Sequence, residues 1–224
     1  VIPEDIIEEI ARIYGYHNLP SKLMAGKIPD PLPDAPFDFE MEVKRILKGR
    51  GGIEVYTLSL VPEEFVEKGA LKLKNPLGAE SSYMRTSLMP SLISAAQENS
   101  REKVPFHLFE LANVYLPRKG ELPEEKTMLA GIFANTKFRE AKGVIESLLE
   151  ELNINPTYEP EDDKEFMPSR RLAIKDGNIS LGQFGILENG LIYYEFTMEA
   201  LRKTHLPVPA YKPLPKYPAQ VEDM

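Results

Sequence analysis

The sequence predicts an α+β fold in which a mainly antiparallel sheet is flanked by helices. Helical and strand patterns follow one another irregularly, without the βαβ repeat that a parallel sheet requires. A hairpin signal lies at Asp176 and Gly177, because Asp-Gly readily adopts the positive φ of a tight turn. Residues 104–115 and 127–134 are apolar on both faces, as buried central strands are. These three observations predict the fold class.

The N-terminal segment predicts a helix over residues 3–16, because Ile6, Ile10 and Ile13 recur at helical spacing. Five prolines follow between positions 20 and 36, and proline lacks an amide donor and disfavours helix in the residue before it. We therefore expect four segments: a helix closing a preceding small domain (1–20), a Pro-rich linker (21–38), the core (39–206) and a second Pro-rich linker (207–224).

Periodicity predicts the elements of the core in order. Apolar residues at helical spacing predict a helix that ends at 49–52, one that opens at Pro90 and one over residues 138–152. Runs rich in β-branched and aromatic residues predict strands, in addition to the two central ones, at 53–58, 172–174, 179–187 and 191–198.

Composition excludes several classes of protein. The chain has 224 residues, a formal net charge of −8 and no cysteine, so disulfides, thiolate metal sites and a Cys nucleophile are excluded. No run approaches the roughly 20 apolar residues needed to span a bilayer, and we expect a soluble, cytoplasmic piece of a longer protein. The three histidines lie far apart, and no Gly-rich phosphate loop or Gly-x-Ser-x-Gly elbow occurs.

A series of motifs resembles the bacterial phenylalanyl-tRNA synthetase β chain, in that family's order. Residues 5–16, DIIEEIARIYGY, give the sharpest match. The further blocks are NPL at 75–77, MRTSLMP at 84–90, LFEL at 108–111, residues 138–152, residues 168–185 and YPA at 217–219. The resemblance implies a class II aminoacyl-tRNA synthetase-like core, with the last block leading towards a C-terminal anticodon-binding domain.

The resemblance also implies that this core is catalytically inactive. Class II sites hold the α-phosphate of ATP with an Arg at the turn after a strand, and this chain has Leu116 at that place. The Gly-rich strand of the third class II motif is missing as well, because residues 192–202 contain no Gly. Arg118 in the following loop is the alternative ligand, but an arginine beside Lys119 and Gly120 in a surface loop is more often simply solvated.

The same family is described as binding Mg²⁺ through carboxylates that match Asp5, Glu8 and Glu9. These residues share one helix face, and clustered carboxylates are typical of sites for hard cations. The family's fourth carboxylate would precede Val1, so we expect weak binding in this chain. The alternative is that first-turn acids simply interact favourably with the helix dipole.

Three further residues are interpreted as structural. Arg85 is expected to pair with an acid inside the domain or at a subunit boundary, and Ser87 to cap the helix near Pro90. Glu110 lies in an otherwise apolar strand, where we favour an ion pair over exposure to a residual cleft.

The resemblance thus implies a structural and subunit-assembly module of phenylalanine–tRNA ligase, a heterotetramer of two α and two β chains. Its partners would be the α chain, which supplies ATP-dependent chemistry, and tRNA through the whole complex. Two alternatives stay open: an adenylating domain active through Arg118, and a nucleic-acid-binding module. The charge of −8 argues against the latter.

Overall fold

A computed structural model describes residues 2–23, 25–27, 34–99 and 104–206. The chain separates into two compact units, Val1–Pro33 and Asp34–Met224. The predicted linker at 207–224 lies outside the described residues. No helix of the described ranges is long and apolar enough to cross a membrane.

Unit 1 contains helix α1 (Pro3–Tyr14), which Gly15 ends with a φ of 93° and an N–H bonded to the Ala11 carbonyl. The helix is therefore slightly shorter than predicted. All of its described residues are at least partly exposed, including the isoleucines of its apolar face.

Unit 2 contains the remaining elements. In chain order they are α2 (Ala35–Gly49), β1 (Ile53–Glu54), β2 (Leu60–Val61), β3 (Tyr83–Met84), α3 (Met89–Glu98), β4 (Phe106–Leu116), β5 (Glu124–Ala134), α4 (Phe138–Glu151), β6 (Thr157–Glu161), β7 (Phe166–Asp176), β8 (Ile179–Leu187), β9 (Ile192–Thr197) and α5 (Met198–Thr204).

The start of α2 corrects the predicted linker of residues 21–38. The helix begins at Ala35, because the Asp34 side chain caps it by accepting from the Phe37 N–H. Pro36 is tolerated there, since N–H groups of the first turn have no partner within a helix. A proline-rich composition therefore concealed the first turn of the helix.

Among the described residues, seven strands form the main sheet in the order β1-β4-β5-β9-β8-β7-β6, and β2 pairs with β3 separately. All neighbours in the main sheet are antiparallel except β1 and β4, which are parallel. The predicted mainly antiparallel sheet and the hairpin at Asp176 and Gly177 are confirmed.

Helices cover the two faces of this sheet unequally. One face packs against α2, α4 and α5 in the larger apolar cluster. The opposite face packs against α3 over β4, β5 and part of β9. Over β6 to β8, that second face carries polar side chains such as Glu161, Arg171 and Gln183 beside the buried Phe166 and Leu187.

Candidate functional site

The β4–β5 hairpin carries the position where a phosphate ligand was expected. β4 ends at Leu116, which lies opposite Glu124 and offers no donor to an anion. Arg118, the possible substitute, has its guanidinium 3.3 Å from the Glu124 carboxylate and 3.9 Å from that of Glu121. The one arginine of this loop is thus paired with acids of its own hairpin.

Strand β9 fills the adjoining part of the sheet with aromatic rings. Tyr193, Tyr194 and Phe196 are fully buried. The Tyr193 hydroxyl donates to the Glu195 carboxylate at 2.8 Å, and burial, followed by the charge of Glu195, raises the Tyr193 pKa well above its ordinary value. In a class II site a Gly-rich strand leaves room for the nucleotide. In this chain the buried and neutral side chain of Tyr193 lies on the corresponding strand.

A polar row, which we define as Glu161, Arg171, Gln183 and Glu195, runs across β6 to β9 on the same face as Tyr193. Arg171 donates to Glu161 at 2.7 Å and to the Gln183 side-chain carbonyl at 2.5 Å. The Gln183 amide then donates to Glu195 at 2.6 Å. These bonds link four strands and tie the Arg171 guanidinium, through Nε and Nη1, to side chains of the row.

Sequence reasoning missed this row. Its members are far apart in the chain and become neighbours through the register that pairs Glu161 with Arg171, Arg171 with Gly185 and Gln183 with Glu195. The available signal was weak, because Gln183 and Glu195 lie inside predicted strands whereas Arg171 lies just before one and Glu161 lies in none.

A buried ion pair joins β4 to the segment before α3. Arg85 Nη1 lies 3.0 Å from Glu110 Oε1, and the two residues are 3% and 1% exposed. Arg85 Nε also donates to the Asn113 carbonyl, and Glu110 accepts from the N–H and the hydroxyl of Thr57. The predicted structural ion pair is confirmed.

Ser87 and the predicted strand at 53–58 are explained by the same region. Ser87 Oγ accepts from the Met89 N–H, but Leu88 holds the N-cap position of α3 and no side-chain cap is formed, so the predicted cap by Ser87 is wrong. The strand is shorter than predicted, because Glu110 binds the Thr57 N–H and draws the backbone away from the sheet after Val55.

The three candidate metal ligands lie exposed on α1, and the two that are engaged, Asp5 and Glu9, have partners within the protein. Asp5 accepts from the Ile2 N–H at 2.8 Å, and Glu9 accepts from Arg12 at 2.6 Å. Among the described residues, no three His, Cys, Asp or Glu side chains, Asp5, Glu8 and Glu9 included, are grouped to hold a metal ion. The carboxylates present do not by themselves fit an octahedral Mg²⁺ site.

Solved structures identify the fold of unit 2. PylSc, a pyrrolysyl tRNA synthetase of Desulfitobacterium hafniense, matches with a TM-score of 0.60 and 17% identity over 75% of this chain and 65% of that one. A further pyrrolysyl-tRNA synthetase structure from that organism matches with a TM-score of 0.59 and 18% identity, over 75% of this chain and 68% of that one. The core has the class II aminoacyl-tRNA synthetase fold.

Sequence comparison identifies the family. The family model for the phenylalanyl tRNA synthetase beta chain CLM domain matches residues 19–194, and the chain belongs to that family. Phenylalanine–tRNA ligase beta subunits of Geobacter metallireducens and Clostridium tetani are 31% and 32% identical to it, over 98% and 100% of this chain. The chain spans about a third of the length of these relatives, 32% in both cases.

Proposed function

We propose that this chain is the non-catalytic, synthetase-like core of a phenylalanine–tRNA ligase β subunit and serves subunit assembly. The observation that carries the proposal is the β4–β5 turn, where Leu116 replaces the phosphate-binding arginine and Arg118 is paired with Glu124. A domain that keeps the fold but lacks the phosphate ligand contributes to the enzyme through its shape and its surfaces rather than through chemistry. Binding of ATP and phenylalanine then belongs to the α chain of a cytoplasmic two-α, two-β assembly, and tRNA binds the whole complex.

We assign the partner-facing surface to the outer side of α2 and the loop after β1. Phe37 and Met41 lie one turn apart on α2 and are 57% and 48% exposed, and Tyr56 and Leu58 are 78% and 76% exposed. Lys44 lies one turn beyond Met41 with its ammonium 5.8 Å from the Tyr56 ring centre, so the two groups are neighbours. Aromatic and Met side chains exposed together are typical of the centre of a protein interface.

Association with the α chain from the same source tests the proposal. We expect Met41→Glu and Tyr56→Glu to weaken capture of this chain by a tagged α chain at least tenfold, because each buries a charge in an apolar contact. Leu77→Glu is the matched control, since Leu77 is fully exposed elsewhere in unit 2. Equal capture of all three variants would exclude this surface, and micromolar ATP binding by the chain alone would exclude the non-catalytic role.

The proposed Mg²⁺ site is confined to the complete subunit. Asp5 and Glu9 are engaged with Ile2 and Arg12, so a cation needs further oxygen ligands to compete with these contacts. In the same way, we propose that residues 1–20 close a preceding domain and that residues 207–224 lead to an anticodon-binding domain.

A further inference from the structure

One histidine is buried in the core next to the turn between α2 and β1. His107, the second residue of β4, is 5% exposed. Its ring stacks on Phe133 with centroids 4.0 Å apart, and its Nε2 lies 2.9 Å from the Tyr194 hydroxyl. The other ring nitrogen, Nδ1, has no hydrogen-bond partner among the described residues.

The unpartnered nitrogen faces the turn. A Cβ built on Gly52 would lie 3.1 Å from His107 Nδ1 and 2.9 Å from the Leu47 carbonyl, so the Gly52 backbone packs directly on this edge of the ring. Gly52 donates its N–H to that same Leu47 carbonyl. The adjacent β4 residues, Leu108 and Phe109, then pair with β1. His107 thus lies under the corner where α2 ends and the edge strand begins.

The chemistry of the ring leaves no place for a second proton. If Nε2 accepts from Tyr194, Nδ1 already carries a hydrogen without an acceptor, and protonation places a cation between apolar rings. From β5, β9 and the turn, the groups that face the ring are Phe133, Tyr194 and Gly52, and Tyr194 is the titratable one. Burial alone lowers the pKa of His107 to about 4, with no charged side chain contributing.

We propose that His107 makes the attachment of the α2–β1 corner to the sheet acid-sensitive, with protonation of the ring forcing it out from beneath Gly52. The neutral ring fills the space under the turn and holds the corner closed. The charged ring requires solvent, and the corner is the part of its surroundings that opens at least cost, because β1 is a two-residue strand at the edge of the described sheet and pairs with β4 alone.

The sign of the pH dependence follows from the lowered pKa. The unfolded chain protonates His107 near its ordinary value of 6.5, whereas the folded chain resists to about 4, so the contribution of the neutral ring is complete above pH 6.5 and is lost as pH falls to 4. Between pH 7 and pH 5, we expect this residue to shift the unfolding equilibrium about 20-fold towards the unfolded chain.

Urea unfolding of the 224-residue chain and two variants from pH 7 to pH 5 tests the proposal. His107→Phe keeps the ring stack and should lose about 20-fold of the pH dependence, so its stability relative to the parent should improve about 20-fold in the unfolding equilibrium between pH 7 and pH 5. His205→Gln is the control, because His205 packs on Phe39 and bonds the Leu152 carbonyl away from this corner. Identical pH dependence in the parent and His107→Phe would overturn the proposal.

A local measurement separates a corner that opens from general acid unfolding. In the parent at pH 5, hydrogen exchange should lose protection at the Gly52 and Val55 amides, which bond Leu47 and Phe109, before it does so in the β7–β8 hairpin. His107→Phe should remove this difference. Uniform loss of protection across the sheet would refute the acid-sensitive attachment of the corner. A His107 pKa near 6.5 in the folded chain, measured by NMR titration, would refute it as well.

Discussion

The acids of α1 and the Arg85–Glu110 pair use similar side chains in opposite surroundings. Asp5 and Glu9 are exposed, and their partners lie three residues away in the chain, at the N-cap position of α1 and within it. Arg85 and Glu110 are buried and come from segments 25 residues apart. An exposed charge that loses its partner regains water, whereas a buried one does not. Burial, more than the number of charges, decides which cluster the fold depends on.

The largest expected effect comes from breaking the buried pair. Glu110→Ala should lower the free energy of unfolding by about 3–5 kcal/mol, because it leaves the Arg85 charge buried without its carboxylate. Urea denaturation against the parent measures this, with Glu64→Ala, an exposed acid of the same unit, as control. A loss below about 1 kcal/mol would mean that Arg85 reaches water, and that the buried pair contributes no more to stability than the exposed acids of α1.

Removing both charges should cost less than removing one. In a chain carrying Arg85→Met and Glu110→Leu together, we expect recovery of about half or more of the Glu110→Ala loss, since apolar replacements of similar volume need no desolvated charge. Recovery will be incomplete because Thr57 and the Asn113 carbonyl also lose partners. A double-mutant cycle at pH 7 checks the coupling, and additive losses would show that the pair does not act as a unit.

Glu54 is an intermediate case, with hydrogen bonds from two lysines near the surface. Although its burial opposes the charge, hydrogen bonds from Lys44, Lys48 and Tyr56 lower the Glu54 pKa to about 2. Its contribution is therefore complete above the ordinary value of 4.5 and is lost as pH falls through 2. Glu54→Gln should cost about 1 kcal/mol at pH 7. In urea denaturation, the difference from the parent should narrow at pH 3.5, and a constant difference would contradict the assignment.

The smallest effect is expected on α1. Asp5→Asn and Glu9→Gln should each change the free energy of unfolding of the helix by no more than about 0.5 kcal/mol, because both contacts are exposed. The thermal transition of the helical circular dichroism signal measures this change. Millimolar Mg²⁺ should change neither the signal nor its transition. A Mg²⁺-dependent gain in helix that Asp5→Asn abolishes would show that these carboxylates form a site in this chain without further ligands.

Sequence by itself determined the local features of this protein. Periodicity predicted α3, α4 and the β7–β8 hairpin, because helix spacing and Asp-Gly turn chemistry act between residues close in the chain. The ordered family motifs identified the class II core, and Leu116 and the Gly-free run at 192–202 pointed to a domain without a phosphate site.

Only the tertiary structure decided which side chains meet. The partner of Arg85, the polar row across β6 to β9 and the unpartnered nitrogen of His107 all follow from strand register and packing, which no local pattern specifies. The Glu110 carboxylate of the buried pair also limits β1, since it accepts the Thr57 N–H that a longer strand would pair with its neighbour. Partner choice between distant residues depends on burial, and burial exists only once the whole sheet has formed.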